Sequence, residues 1–389
     1  MLHRPGRRAS PRGPRRARAG WLLVRRHPLR TAIVVVLLAL LPALVSLTMA
    51  LTRPGTDTTA ERLAEWARDH HGGALVNLFE RATYQPPRVG GSPPRTSPLL
   101  TAAAPTQTQT PALLARLPQP IQPIATPPLR GEGQWRVLDS WHGRPALAVA
   151  YLRPDNRHTS YTSMVAWLNP DLVQARWHPG TSEPGGGPWR TKPELAGSDR
   201  TGLLAAFNSA FRLHDSRGGV YAYGRTRGRL RAGAASLVID KSGRIDVGAW
   251  GRDVSLTPST QVVRQNLALL VDGGQLVDGI SINKGDRWGA TLGNSYYVWR
   301  SGIGVTASGA AVYVAGDRLS ALSLATLLQR AGAVRAMELD INRDWTSFVL
   351  FRNPQGGTIE RNALPDMRRS PTRYDQASSR DFVALYRRR

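Results

Sequence analysis

No cysteine occurs among the 389 residues, so disulfides, thiolate nucleophiles and cysteine-held metal centres are excluded. Lysine is almost absent too, at three residues against 49 arginines, an imbalance that reads as coding bias from a GC-rich genome. Acidic residues are scarce, 27 against 52 basic, and residues 1–50 contain none while carrying ten arginines. No nucleophile elbow, Walker loop, dinucleotide fingerprint or EF-hand spacing sits in a supporting context. His142, His158 and His178 lack metal-ligand spacing and read as structural or surface residues.

Only one long run is both apolar and uncharged, Thr31 to Leu51, and its 21 residues match the thickness of a bilayer core. Pro42 within it is tolerable in a membrane helix. The ten arginines precede the run, which predicts residues 1–30 as a basic cytoplasmic leader, 31–51 as a single-pass anchor and the main domain as extracytoplasmic. A signal peptide cleaved near Thr48-Met49-Ala50 is the rival, but the leader and apolar run are long for one. Such a topology divides the formal charge of +25 between two sides of a membrane. No single nucleic-acid surface results; the leader suits anionic headgroups, and the outer excess suits anionic sugar-phosphate or glycopolymer partners.

Residues 52–84 predict a short helical segment interrupted at Gly72-Gly73, serving either as a stalk or as a lid on the main domain. Residues 85–131 are rich in Pro, Thr, Gln and Ser and predict an extended linker. From 132 to 389 the composition is globular. Ala146 to Leu152 and Thr162 to Leu168 read as strands, and Ser236–Asp240 with Arg244–Val247 as a hairpin. Gly302–Thr306 with Ala310–Ala315 repeats that pattern, and Ser320 caps a helix running to Arg330. The fold class expected is α+β: a mixed, largely antiparallel sheet domain with few helices, preceded by one N-terminal transmembrane helix.

Three stretches carry candidate chemistry. Ala333 to Asn342 places Glu338, Asp340 and Asn342 at the exit of an apolar strand, a position where folds with open sheets often put functional groups. Leu203 to Phe211 ends in Asn208-Ser209, followed by a loop with His214, Asp215 and Arg217 that either clamps a phosphate or is a solvated turn. Arg300 stands where a strand gives way to Gly302 and Gly304, either as a two-point anion ligand or as a surface residue beside a bulge. Asp272-Gly273-Gly274 reads as a turn. Glu338, Asp340 and Asp344 offer the oxygen ligands that a divalent cation requires, without a recognised spacing.

In that order, Phe207–Phe211, Arg300–Gly304, the helix and strand from Leu322 to Ala333, and Leu339-Asp340 resemble the phosphodiester glycosidase family, the family of the lysosomal uncovering enzyme. The likeness spans about Leu203 to Phe351. Two glycines of the family's first motif are Ser209-Ala210 here, and the glycines that follow its Asp are replaced by Ile341-Asn342-Arg343. The resemblance implies hydrolysis of a sugar from a sugar-1-phosphodiester, in a divergent, membrane-tethered, bacterial branch acting on cell-envelope glycopolymer or a related metabolite. It implies Asp340, Glu338 and Asn208 as catalytic groups, and Arg300, Arg217, His214, Asp215 and Asn342 as substrate-binding groups. The sequence assigns no cofactor and leaves a divalent cation open. The alternatives are a non-catalytic receptor for anionic envelope glycopolymers and a structural envelope protein. The sequence leaves the oligomeric state open.

Overall fold

The computed structural model describes residues 28–53, 55–100, 110–281, 287–289, 297–352 and 359–388; most of the basic leader lies outside them. An eight-stranded antiparallel sheet forms the centre, in the order Arg136–Trp141, Arg144–Leu152, Ser163–Leu168, Ala311–Leu319, Val298–Thr306, Ala333–Asp340, Leu269–Asp272, Gln275–Leu276. Its two faces are both buried, and the residues alternate between them as the period of a strand demands. Within Arg144–Leu152, Ala148, Ala150 and Leu152 pack with Leu324 and Leu328 of the helix Ala321–Arg330. Their neighbours Leu147, Val149 and Tyr151 pack instead with Phe207, Phe348, Leu237 and Val262 of two further sheets.

Those two sheets have five strands each. One runs Ile359–Asn362, Phe348–Arg352, Leu203–Asn208, Phe382–Arg387, Val173–His178. The other runs Arg225–Arg227, Val220–Ala222, Thr260–Gln265, Ala235–Asp240, Ile245–Ala249. Both expected hairpins are present, Ala235–Asp240 with Ile245–Ala249 and Val298–Thr306 with Ala311–Leu319. The fold is therefore the α+β, antiparallel, helix-poor arrangement expected.

The helix Ala321–Arg330 begins at a reciprocal cap between Ser320 and Ser323 and ends before Gly332, whose φ of 92° suits glycine alone. It can lie close on the sheet because Gly302 has no side chain: a Cβ there would stand 3.0 Å from Leu328 Cδ1. Gly302 thus faces the helix. By alternation Arg300 faces it too, and Ser301 faces the opposite layer.

Pro28–Leu51 is one continuous helix, long and apolar enough to cross a membrane. The next segment forms helices Thr59–Asp69 and Gly73–Thr83, broken where the Gly pair predicts. Of the two roles open to it, the first helix takes that of a lid: Asp57, Glu61, Glu65 and Asp69 all pair with arginines of the main domain. The stretch 85–131 departs from the free spacer expected. Leu99, Leu113, Ile121 and Ala125 are buried, and Ile121 N–H donates to Gly133 O at 2.9 Å. A few apolar anchors suffice to lay the described parts of a proline-rich strap along the domain.

Candidate active site

Asn208 ends its strand between two sheets and uses every hydrogen-bonding position it has. Its Oδ1 accepts from Tyr313 Oη at 2.9 Å and Ser347 N–H at 3.0 Å. Its Nδ2 donates to Ser209 O at 3.0 Å and Ser301 Oγ at 2.9 Å. Ser301 Oγ in turn accepts the backbone N–H of Asp340 at 3.2 Å. Asn208 and Asp340 do come together, joined through Ser301, but the amide is a rivet between sheets. It has no position left for a substrate hydroxyl.

Asp340 terminates its strand with 7% of its surface exposed. Burial drives its carboxyl up to about 6, Arg380 and the backbone N–H groups of Asn342 and Ile341 pull it down, and Asp215 pushes it up. Asn342 N–H donates to Asp340 Oδ1 at 2.8 Å, and Asp344 N–H to Asn342 Oδ1 at 2.8 Å. These successive side-chain turns shape the segment where the family has glycines. Asn342 is committed to that turn through its Oδ1.

Glu338 and Arg300 are brought together, but sealed inside the sheet–helix layer. Both side chains are fully buried, with Arg300 Nη1 2.5 Å from Glu338 Oε1 and Arg300 Nε donating to Leu319 O at 3.0 Å. Burial drives the Glu338 carboxyl up to about 7, against Arg300, with Asp340 adding to the rise. A guanidinium held in this way faces no ligand. The alternation of the strand, which aims Arg300 at the helix and Ser301 at Asn208, joins Arg300 to Glu338 but separates it from Asn208.

His214, Asp215 and Arg217 occupy a one-turn helix, Leu213–Ser216, and its left-handed cap at Arg217. The His214 side chain is 92% exposed and lies 3.1 Å from Asp215, and Arg217 is exposed. Of these three, Asp215 pushes the Asp340 carboxyl up through its charge. Asp344 pairs with Arg368 at 2.9 Å and Glu338 with Arg300, so the three carboxylates considered for a cation do not converge. Among the described residues no group of three or more His, Asp or Glu is placed to hold a metal ion.

The groups not foreseen come from the C-terminal segment. Trp345, 5% exposed, has the guanidinium carbons of Arg369, Arg373 and Arg380 at 4.8, 5.7 and 4.8 Å from its ring centroid. Burial alone would lower Arg380, but Glu65, Asp340 and Glu183 together hold its guanidinium above the ordinary value. Arg380 is thus the cation that Asp340 feels. Two signals for it were present in the sequence: the arginine-dense stretch Arg368 to Arg380, and acidic residues at every fourth position, Asp57, Glu61, Glu65 and Asp69.

A scan of family models finds no match, and neither does a search of curated proteins. Among solved structures, the chain overlaps the zebrafish N-acetylglucosamine-1-phosphodiester alpha-N-acetylglucosaminidase catalytic domain, auto-inhibited by its pro-peptide. That overlap has TM-score 0.43 and 16% identity, over 66% of this chain and 88% of that one. A hypothetical protein from Synechocystis overlaps with TM-score 0.35 and 13% identity, over 64% and 65% of the two chains. Superpositions this loose transfer neither fold nor activity.

Proposed function

We propose that the chain is a membrane-anchored, extracytoplasmic hydrolase that releases a sugar from a sugar-1-phosphodiester, with Asp340 at the reacting centre. The observation that carries this reading is a buried carboxylate at a strand end, raised to about 6, whose ionised form is favoured most by the charge of Arg380. A pKa near the working pH lets one carboxylate activate water or stabilise the developing oxocarbenium ion. As the glycosidic C–O bond breaks, negative charge grows on the departing phosphate, and a fixed guanidinium offsets it. Phosphate is already a competent leaving group, so the reaction asks little of a general acid. The anion-holding role considered for Arg300 passes to Arg380, while Asn208, Glu338 and Arg300 position the strand that carries Asp340.

The helix Pro28–Leu51, after an arginine-rich leader, supports a single-pass anchor with residues 52–389 outside. An outer domain with excess positive charge suits anionic envelope glycopolymers or their phosphodiester precursors. One observation favours the rival reading, a receptor without turnover: the amide of Asn208 is wholly engaged internally. The test is incubation of the detergent-solubilised chain, and of its Asp340→Asn variant, with a panel of sugar-1-phosphodiesters. Release of reducing sugar by the parent and its loss in the variant are expected. Absence of release across the panel refutes the hydrolase, and undiminished turnover in the variant removes the role of Asp340.

A further inference from the structure

Arg212, Arg369, Arg373 and Arg380 gather on one side of the domain, three of them around Trp345. Arg373 is 2% exposed, and no carboxylate pairs with it among the described residues; its Nη1 reaches only Trp345 O at 3.4 Å. Among the described residues, the buried Nε atoms of Arg369, Arg373 and Arg380 have no hydrogen-bond partner. Buried guanidinium charge of this density is costly unless anions join it.

What covers the basin is the acidic edge of the lid. Asp57 and Glu61 pair with Arg369, the latter at 2.5 Å. Glu65 pairs with Arg380 at 2.5 Å, and Asp69 with Arg212, which also lies 3.6 Å from Glu183. Side chains four residues apart share a helix face and repeat about every 6 Å along its axis. The basin therefore meets Glu61, Glu65 and Asp69 in a row along one helix face, with Asp57 just ahead of the N-cap Thr58, a run of monoanions such as a chain of phosphodiester groups also presents. Planar guanidinium forks suit phosphate oxygens as well as they suit carboxylates.

We infer that this basin is a binding site for a phosphodiester-linked polyanion, and that the helix Thr59–Asp69 occupies it as a carboxylate stand-in. The inference rests on the proposed reaction only in placing the basin beside Asp340; the binding itself does not require turnover. Incoming polyanion exchanges one set of arginine contacts for another, and the displaced helix stays tethered to the membrane segment. The lid thereby selects for ligands with several phosphates in a row, because a single phosphate cannot replace all four carboxylates.

The test uses the full chain in detergent, with inorganic polyphosphate and orthophosphate as probes. The variant Glu61→Gln/Glu65→Gln/Asp69→Asn keeps helix-forming side chains, and Gln at 61 preserves the cap with Thr58. Polyphosphate is expected to bind this variant at least tenfold more tightly than the parent, with orthophosphate weak in both. Adding Arg373→Met or Arg212→Gln should reverse the gain. Because the buried Arg373 variant can fail to fold, hydrogen exchange on the unmodified chain supplies a second readout: saturating polyphosphate should speed exchange of amides 59–69 at least tenfold. Unchanged affinity in the triple variant, or unchanged exchange in the parent, overturns the inference. The two proposals fail separately. Polyphosphate binding without sugar release keeps the basin and removes the reaction. Sugar release without polyphosphate binding keeps the reaction and removes the basin.

Discussion

If Asp340 reacts as a carboxylate, the charges around it set the pH at which the protein works, and the lid must tune that pH. Asp340 titrates at about 6, raised by burial and restrained mainly by Arg380, whose own charge is partly answered by Glu65 at 2.5 Å. The form needed is the ionised one, so kcat/KM rises with pH through about 6 and levels off above 7. Replacing Arg380 with Met takes away the positive charge that most favours ionisation. An opposite charge at close range is worth roughly 1–3 pKa units, so the midpoint should climb by about one unit or more. At pH 6 the ionised fraction then drops from about one half to about one tenth, while at pH 9 this loss vanishes. Glu65→Gln acts with the opposite sign, because Arg380 freed of its partner draws more strongly on Asp340 and the midpoint falls. Asp340→Asn should give a flat profile roughly 10²- to 10⁴-fold lower. The same carboxyl affects folding. Its folded pKa lies above the ordinary 3.8, so its stability contribution is complete below that value and is lost as pH rises through about 6. That loss amounts to about 3 kcal/mol and should disappear in Asp340→Asn. Rate profiles from pH 4.5 to 9.5 and melting curves over the same range provide the check. Midpoints that shift in the same direction in both charge variants, or do not shift, would refute the electrostatic account.

Two further outcomes follow from the buried pairs. Arg300→Met leaves Glu338 without its cation. Glu338 already sits at about 7 and is protonated at pH 5 with or without its partner, so melting should fall little there and markedly at pH 9, where the ionised carboxylate has lost its cation. An equal fall at both pH values contradicts the pairing. Asp381 accepts from Arg264 Nε at 2.8 Å and Trp177 Nε1 at 2.9 Å, tying together both smaller sheets. Asp381→Asn strands a buried guanidinium and should cost about 3–5 kcal/mol in urea unfolding; a loss under about 1 kcal/mol rules this out.

Elements whose signal is local were legible in the sequence. The Ser320 cap and Gly332 stop, the two hairpins, the Gly72-Gly73 break and the apolar N-terminal helix all depend on residues within a few positions of each other. The assembly of the sheets was not legible, because strands as distant as Leu203–Asn208 and Phe382–Arg387 pair across most of the domain. Asn208 and the backbone N–H of Asp340 meet at Ser301 Oγ. The role of the amide could not be read, since it depends on Ser301, Tyr313 and Ser347 reaching it from three other segments.

Arg300 marks the boundary of sequence reasoning most sharply. The sequence places it where a strand gives way to glycines, whereas Val298–Thr306 runs through it as one strand; the function of a strand residue depends on which face it takes, and a single residue of register exchanges the two. Gly302 makes room for Leu324 and Leu328 of the helix. That assigns Arg300 to the helix side and forces it to find Glu338. The charge that Asp340 requires then comes from Arg380, beyond the stretch resembling the glycosidase family and paired with a segment over three hundred residues earlier. A periodic run of acids near one end and a dense run of arginines near the other were each unremarkable as surface charge. Their complementarity gives them meaning, and only a fold that brings the two ends together can express it.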